Sequence, residues 1–111
     1  MDGRWLSIAE QVAFSAQKLN KVALCETERL LFDVYCLEPG QAQKVHAHDG
    51  TDKIYVALTG RPTVQLGDEE RTLESGQAAL APAGVPHGVR NASPERATLL
   101  VFQARSSAKQ A

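Results

Sequence analysis

Little in these 111 residues is basic, sulfur-rich or continuously apolar, and each shortage excludes something. Twelve Lys and Arg stand against thirteen Asp and Glu, a formal net charge of -1. Both signs are spread along the chain, so no basic stripe is on hand for a phosphate backbone. Nucleic acid is therefore not an expected partner. The two cysteines, Cys25 and Cys36, form no CxxC pair, which removes the usual zinc and dithiol readings. Both are expected as buried free thiols that pack like small hydrophobes. No segment approaches the roughly eighteen apolar residues of a membrane helix, and the opening MDGRWLSIAEQVAF lacks a basic stretch ahead of an apolar core. The expectation is a soluble, cytoplasmic chain with no membrane partner.

What is present is a series of short segments rich in Val, Leu, Ile, Phe and Tyr between turn signals, in a chain long enough for one core and too short for two. ERLLFDVYCL is apolar on both faces and is closed by Pro39 and Gly40. QKVHAH, a DGT turn and KIYVAL follow, and Gly60 to Pro62 marks a corner. TVQL and ERTL flank Gly67 and Asp68, a hairpin signal of the primed-turn kind. QAALA leads into the Pro82, Gly84, Pro86 cluster, and TLLVFQ ends the pattern. Strands at this spacing predict an all-β sandwich or barrel. Ser7 with Glu10 resembles a capping box, and Ile8 and Val12 fit one helical face, so a short helix or packed arm is expected before Phe14. The domain plan is an N-terminal arm and first strand over 1–27, the barrel over 28–104, and a flexible polar tail over 105–111. ERLLFDVYCL and TLLVFQ carry more apolar surface than a lone small barrel needs, so a homodimer is expected.

The chemistry concentrates in HAHDGTDK, His46 to Lys53. Histidines one residue apart on an extended strand point the same way, giving two imidazoles on one face, half of a metal site. Alone, this would be read as an exposed strand end, and His87 alone as an ordinary loop histidine. The spacing around them changes the weighting. Gly40, five residues, His46, one residue, His48, four residues, Lys53, six residues and Gly60 form one pattern. Gly76, five residues, Pro82, one residue, Gly84, two residues, His87, three residues and Asn91 form a second. Together they resemble the two cupin motifs, over roughly Leu30 to Phe102. The second matches at every defined position, and the first departs only where the family's glutamate is Lys53.

The resemblance implies a cupin-type jelly-roll β-barrel holding a divalent transition metal (iron, zinc, nickel or manganese) on His46, His48 and His87. All three histidines of the chain then fall at ligand positions. Pro86 and Gly84 suggest that His87 is delivered from a constrained loop. Lys53 removes the carboxylate that would cancel metal charge, and three outcomes are open. Asp52 could turn inward as a fourth ligand. Lys53 could face the metal and act as an acid, a base or an anion partner. Or Lys53 could turn outward and pair on the surface. Parity pairs an inward Lys53 with Tyr55 and Ala57, and an inward Asp52 with Ile54, Val56 and Leu58, the more apolar set; the motif alignment favours Lys53, the apolar count favours Asp52, and Lys53 is preferred.

A site without its carboxylate favours a small anionic ligand that binds the metal directly. Lys53 and Tyr55 are the candidate catalytic residues, since no other general base is evident nearby. The function expected is metal-dependent, dioxygenase-like oxidation of a small chelating anion. The alternative is a non-catalytic cupin module that binds a metal or small molecule.

Overall fold

Alternation along each strand decides which side chains enter the core. A computed structural model describes residues 3–105. After a single helical turn, α1 (Ile8–Gln11), come β1 (Asn20–Glu26), β2 (Leu30–Leu37), β3 (Ala42–His46), β4 (Thr51–Thr59), β5 (Thr63–Leu66), β6 (Glu69–Thr72), β7 (Ala78–Ala81), β8 (His87–Arg90) and β9 (Ala97–Arg105). They form two antiparallel sheets, β1-β2-β9-β4-β7 and β3-β8-β5-β6. No helix among the described residues is long and apolar enough to cross a membrane.

The larger sheet is apolar on both faces. Tyr35, Leu37, Tyr55, Ala57, Leu99 and Val101 point inward and meet Val64, Leu73 and Val89 in the main core. Val34, Cys36 and Leu24 point the other way and are covered by Ile8, Val12 and Phe14 of the N-terminal arm. Part of the apolar surface that the sequence assigns to a partner copy is thus buried by the chain's own arm. Ser7 sits at the N-cap of α1 without a side-chain cap bond, so packing rather than capping holds this turn. Cys36 is a buried free thiol, whereas Cys25 is only half-buried.

Gly67 and Asp68 make the two-residue turn joining β5 and β6, with Leu66 opposite Glu69. Gly67 has φ 58°, and no non-glycine residue among those described has positive φ, the signature of a type II′ turn. At the C-terminal end Arg105, the first residue of the expected tail, lies in β9. Arg105 closes β9, its guanidinium bonding Glu26 at 3.1 Å and the Thr27 carbonyl at 2.7 Å. Residues 106–111 lie outside the described residues.

One irregularity matters most for the site. In the β3–β8 pair Gln43 lies opposite Val89 and His46 opposite His87, so β3 carries one extra residue between them. In a regular strand, positions three apart face opposite sides. The bulge restores the parity, so that Gln43 and His46 both point into the barrel. Gly88 leaves room for it: a Cβ there would stand 2.9 Å from the Gln43 carbonyl oxygen and 3.1 Å from Val45 Cα. The obstruction is backbone and cannot rotate away. Gly88→Ala is therefore expected to displace β3 and destabilise the fold by about 1–3 kcal/mol, as overpacking does. Urea denaturation checks this, and an unchanged midpoint would mean that the bulge is not sterically dependent on Gly88.

Candidate metal centre

The three imidazoles converge from two strands and a loop. His46 ends β3, His87 begins β8, and the two are direct partners in the ladder. His87 also pairs with Leu66 of β5. It is therefore held by a strand with neighbours on both sides, not by the constrained loop expected from Pro86. His48 lies two residues beyond β3, and its carbonyl accepts from Gly84 N at 2.8 Å, which ties the first motif to the second. Ring centroids are 4.6 Å apart for His46 and His48, 4.5 Å for His46 and His87, and 5.7 Å for His48 and His87.

Each of the three offers one ring nitrogen, and these lie within 4.8 Å of one another. Modest ring rotation brings such a set onto one ion at the usual imidazole distance of about 2.0–2.1 Å. His46 Nδ1 is 2.8 Å from the Lys44 carbonyl oxygen and His87 Nδ1 is 2.9 Å from that of Val85. A carbonyl only accepts, so both Nδ1 atoms carry the proton and both Nε2 lone pairs are free. His87 Nε2 is buried with no hydrogen-bond partner among the described residues. An unsatisfied buried acceptor costs on the order of 1–3 kcal/mol, and ligation removes that cost. Burial is the main cause that lowers the pKa of both His48 and His87, and the neighbouring imidazoles and Lys53 add to it. Both rings are thereby biased toward the neutral, ligating form. The arrangement is compatible with a metal ion.

Lys53 faces inward. It is 1% exposed and shares its face with Tyr55 and Ala57. Asp52 is exposed, and its Oδ1 accepts from Ala83 N at 2.9 Å. The register explains why Asp52 does not supply the missing carboxylate. β4 pairs with β9 in unbroken register from Thr51 to Ala57, so the turn before it leaves no freedom to rotate one residue. Ile54, Val56 and Leu58, the more apolar set, line the outer face with Asp52.

The Lys53 ammonium makes one long hydrogen bond, 3.5 Å to Gln43 Oε1, and lies 5.4 Å and 5.2 Å from the ring centres of Tyr35 and Tyr55. Burial, reinforced by Lys21, pushes its pKa from 10.5 down to about 8, with Asp33 opposing. Tyr55 gives its hydroxyl proton to Gln43 Oε1 at 3.2 Å, and burial raises its pKa. Tyr55 is thus a hydrogen-bond donor to Gln43, its phenol held toward the protonated form. Asn91 is absorbed structurally. Its amide donates to the Leu37 and Glu95 carbonyls and its oxygen accepts from Ser93.

Gln43, Tyr35, Lys21 and Asp33 escaped the sequence reading. Gln43 faces the site only because of the bulge, and Asp33 is a buried carboxylate on β2 whose pKa is raised by desolvation. The signal available was the alternation Asp33, Tyr35, Leu37, which puts a carboxylate on the core face.

A family model described as a cupin domain matches residues 33–103. This chain belongs to the cupin family. Its fold is the cupin jelly-roll barrel that the two motifs imply. An uncharacterised protein of Streptomyces coelicolor is 32% identical over 71 residues, 62% of this cupin and 65% of that relative's length. The cupin thus spans just under two thirds of the curated relative. A crystal structure of a Thermus thermophilus protein superposes with a TM-score of 0.88 at 48% identity, covering 91% of this chain and 96% of that one. An uncharacterised Klebsiella pneumoniae protein with a double-stranded β-helix domain gives a TM-score of 0.85 at 25% identity, covering 94% and 91%.

The buried Lys53 carries a stability consequence with a defined pH window. Its folded pKa lies below its unfolded one, so below about 8 it is charged in both states and burial destabilises the fold in full. The displacement from 10.5 to about 8 corresponds to about 3 kcal/mol. The penalty shrinks as pH rises through that interval and vanishes above it. Lys53→Met is expected to gain about 1–3 kcal/mol at pH 7, fading toward pH 10.5. Denaturant titrations of both proteins across this range test it, and equal midpoints at pH 7 would contradict it.

Proposed function

We propose that this cupin holds a divalent transition ion on His46, His48 and His87, takes a small chelating anion directly onto it, and oxidises that anion. The observation that supports this most is His87 Nε2, a buried acceptor left without a partner among the described residues, on a ring that offers a nitrogen within 4.8 Å of one from each of the other two. Iron, zinc, nickel and manganese all accept imidazole, and an ion so held supplies a Lewis acid and, as iron, one-electron chemistry with oxygen. Three neutral donors leave its double charge uncancelled, and Lys53 adds to it, so an anionic ligand is favoured over a neutral one. In this reading Lys53 holds the second anchor for the anion, and Gln43 and Tyr55 orient it. The second reading, binding without turnover, is favoured by one feature. Gln43 donates to the Tyr35 hydroxyl and accepts from the Tyr55 hydroxyl, and burial raises the pKa of both phenols, so neither supplies a ready base.

Protein purified without a histidine tag is expected to carry close to one equivalent of metal, lost in His46→Ala and His87→Ala. Iron, with oxygen uptake on small carboxylates or diketones, would support oxidation. Tightly held zinc and no uptake would support the binding module. Metal retained by both variants would overturn the centre itself. Titration of small carboxylates is expected to show severalfold weaker binding in Lys53→Glu, and unchanged affinity would remove Lys53 from the anion site.

We also propose a homodimer. Ile54 is 38% and Leu80 55% exposed, and they are opposite one another on β4 and β7, while Trp5 of the arm is fully exposed. These apolar groups support a second copy on that face. Light scattering at micromolar concentration is expected to give twice the chain mass, and a monomer would refute the dimer.

A further inference from the structure

The concavity in front of the histidines is lined by more cation than one bound carboxylate needs. Its wall includes Lys21, Tyr35, Gln43, His46, His48 and Lys53. Lys21 lies opposite Tyr35 in the β1–β2 ladder, and its ammonium sits 5.4 Å from the centre of that ring, as the Lys53 ammonium does. Two ammonium groups therefore approach one tyrosine ring beside the imidazole trio. The carboxylate they share is Asp33, which is buried and supplies one negative charge against two ammonium groups. Cation–π contact at partly exposed sites is worth only about 0.5–1 kcal/mol, which does not replace a counter-ion. Lys53 has three donors and uses one, at 3.5 Å.

We infer that Lys21 and Lys53 form a second anion subsite, so that the ligand is a small dicarboxylate with one end chelating the ion and the other carboxylate between the two ammonium groups. This deepens the proposed function and rests on its metal centre. A monocarboxylate satisfies the ion and leaves the two lysines with Asp33 alone between them. A dicarboxylate satisfies both ends and supplies acceptors for the idle donors of Lys53. Lys21 is exposed and stands on a different strand from every histidine, so it determines ligand selectivity without contributing to ion binding.

The test is calorimetric titration of the nickel-loaded protein with matched pairs, malate against 2-hydroxybutyrate and 2-hydroxyglutarate against 2-hydroxyvalerate. Each pair shares its chelating end and its carbon count, and differs in the distal carboxylate. At least one dicarboxylate is expected to bind about tenfold tighter than its partner, the size of effect one charge-assisted contact produces. Lys21→Gln is expected to remove most of that preference while leaving monocarboxylate affinity and nickel content unchanged. Arg71→Gln, on β6, changes the net charge equally and is expected to keep the preference. Equal affinities within both pairs, or a preference that survives Lys21→Gln, would overturn the subsite with the metal centre intact. Failure of the wild-type chain to hold nickel would instead overturn the metal reading, and the subsite with it.

Discussion

The site depends on one ladder pairing, His46 against His87. Two imidazoles from segments far apart in the chain are brought together by backbone hydrogen bonds, before any ion contributes. Each ring is then oriented by a carbonyl two residues upstream on its own segment, Lys44 for one and Val85 for the other. A common local geometry therefore fixes both tautomers. The entropy of assembling these two donors is met by folding, so ligand binding has only His48 left to order. His48 is exposed and sits in a loop, but its carbonyl is tied to Gly84, so its freedom is in the side chain rather than the chain path.

The bulge in β3 extends that constraint to the polar residues around the trio. Without the extra residue, Gln43 would face solvent, and nothing would link the Tyr35 and Tyr55 hydroxyls to Lys53. With it, Gln43 spans all three, although its contacts of 3.2 to 3.5 Å are at the long end for hydrogen bonds. A long, weakly bonded network can reorganise when an anion arrives. A short, saturated one would resist.

Most of the barrel was legible because its signals are local and repeated. Strand period, the Gly67-Asp68 turn and the two spaced motifs each depend on residues near in sequence. The orientation of Lys53 was harder to read. Counting apolar residues favoured Asp52 inward, and the count misled because the larger sheet is apolar on both faces: Val34, Cys36 and Leu24 pack beneath the arm, and Ile54, Val56 and Leu58 continue the outer face on β4. Polarity stops discriminating where the outer face is apolar as well, as at Ile54, which is apolar yet exposed. Motif spacing carried the correct parity, since the ladder with β9 is regular from Thr51 to Ala57. Gln43 was illegible for a different reason. A bulge reverses parity without a turn residue to announce it, and the steric allowance that permits it, at Gly88, lies on the partner strand.

Charge placement gives the strongest physical ground for reading Lys53 as functional. A buried ammonium flanked by two tyrosine rings contributes nothing to packing that a methionine of similar length would not, and its desolvation works against the fold. Asp33 offsets part of that penalty, but it is desolvated too, and burial raises its pKa. Stability alone would favour an apolar residue at both positions. A polar arrangement that weakens the apo barrel is explained when a bound state repairs it. Beside three ligating imidazoles, the partner that neutralises Lys53 most directly is an anion held in common by the lysine and the ion. The missing motif carboxylate is then restored by the ligand, and the protein's own chain leaves that place open.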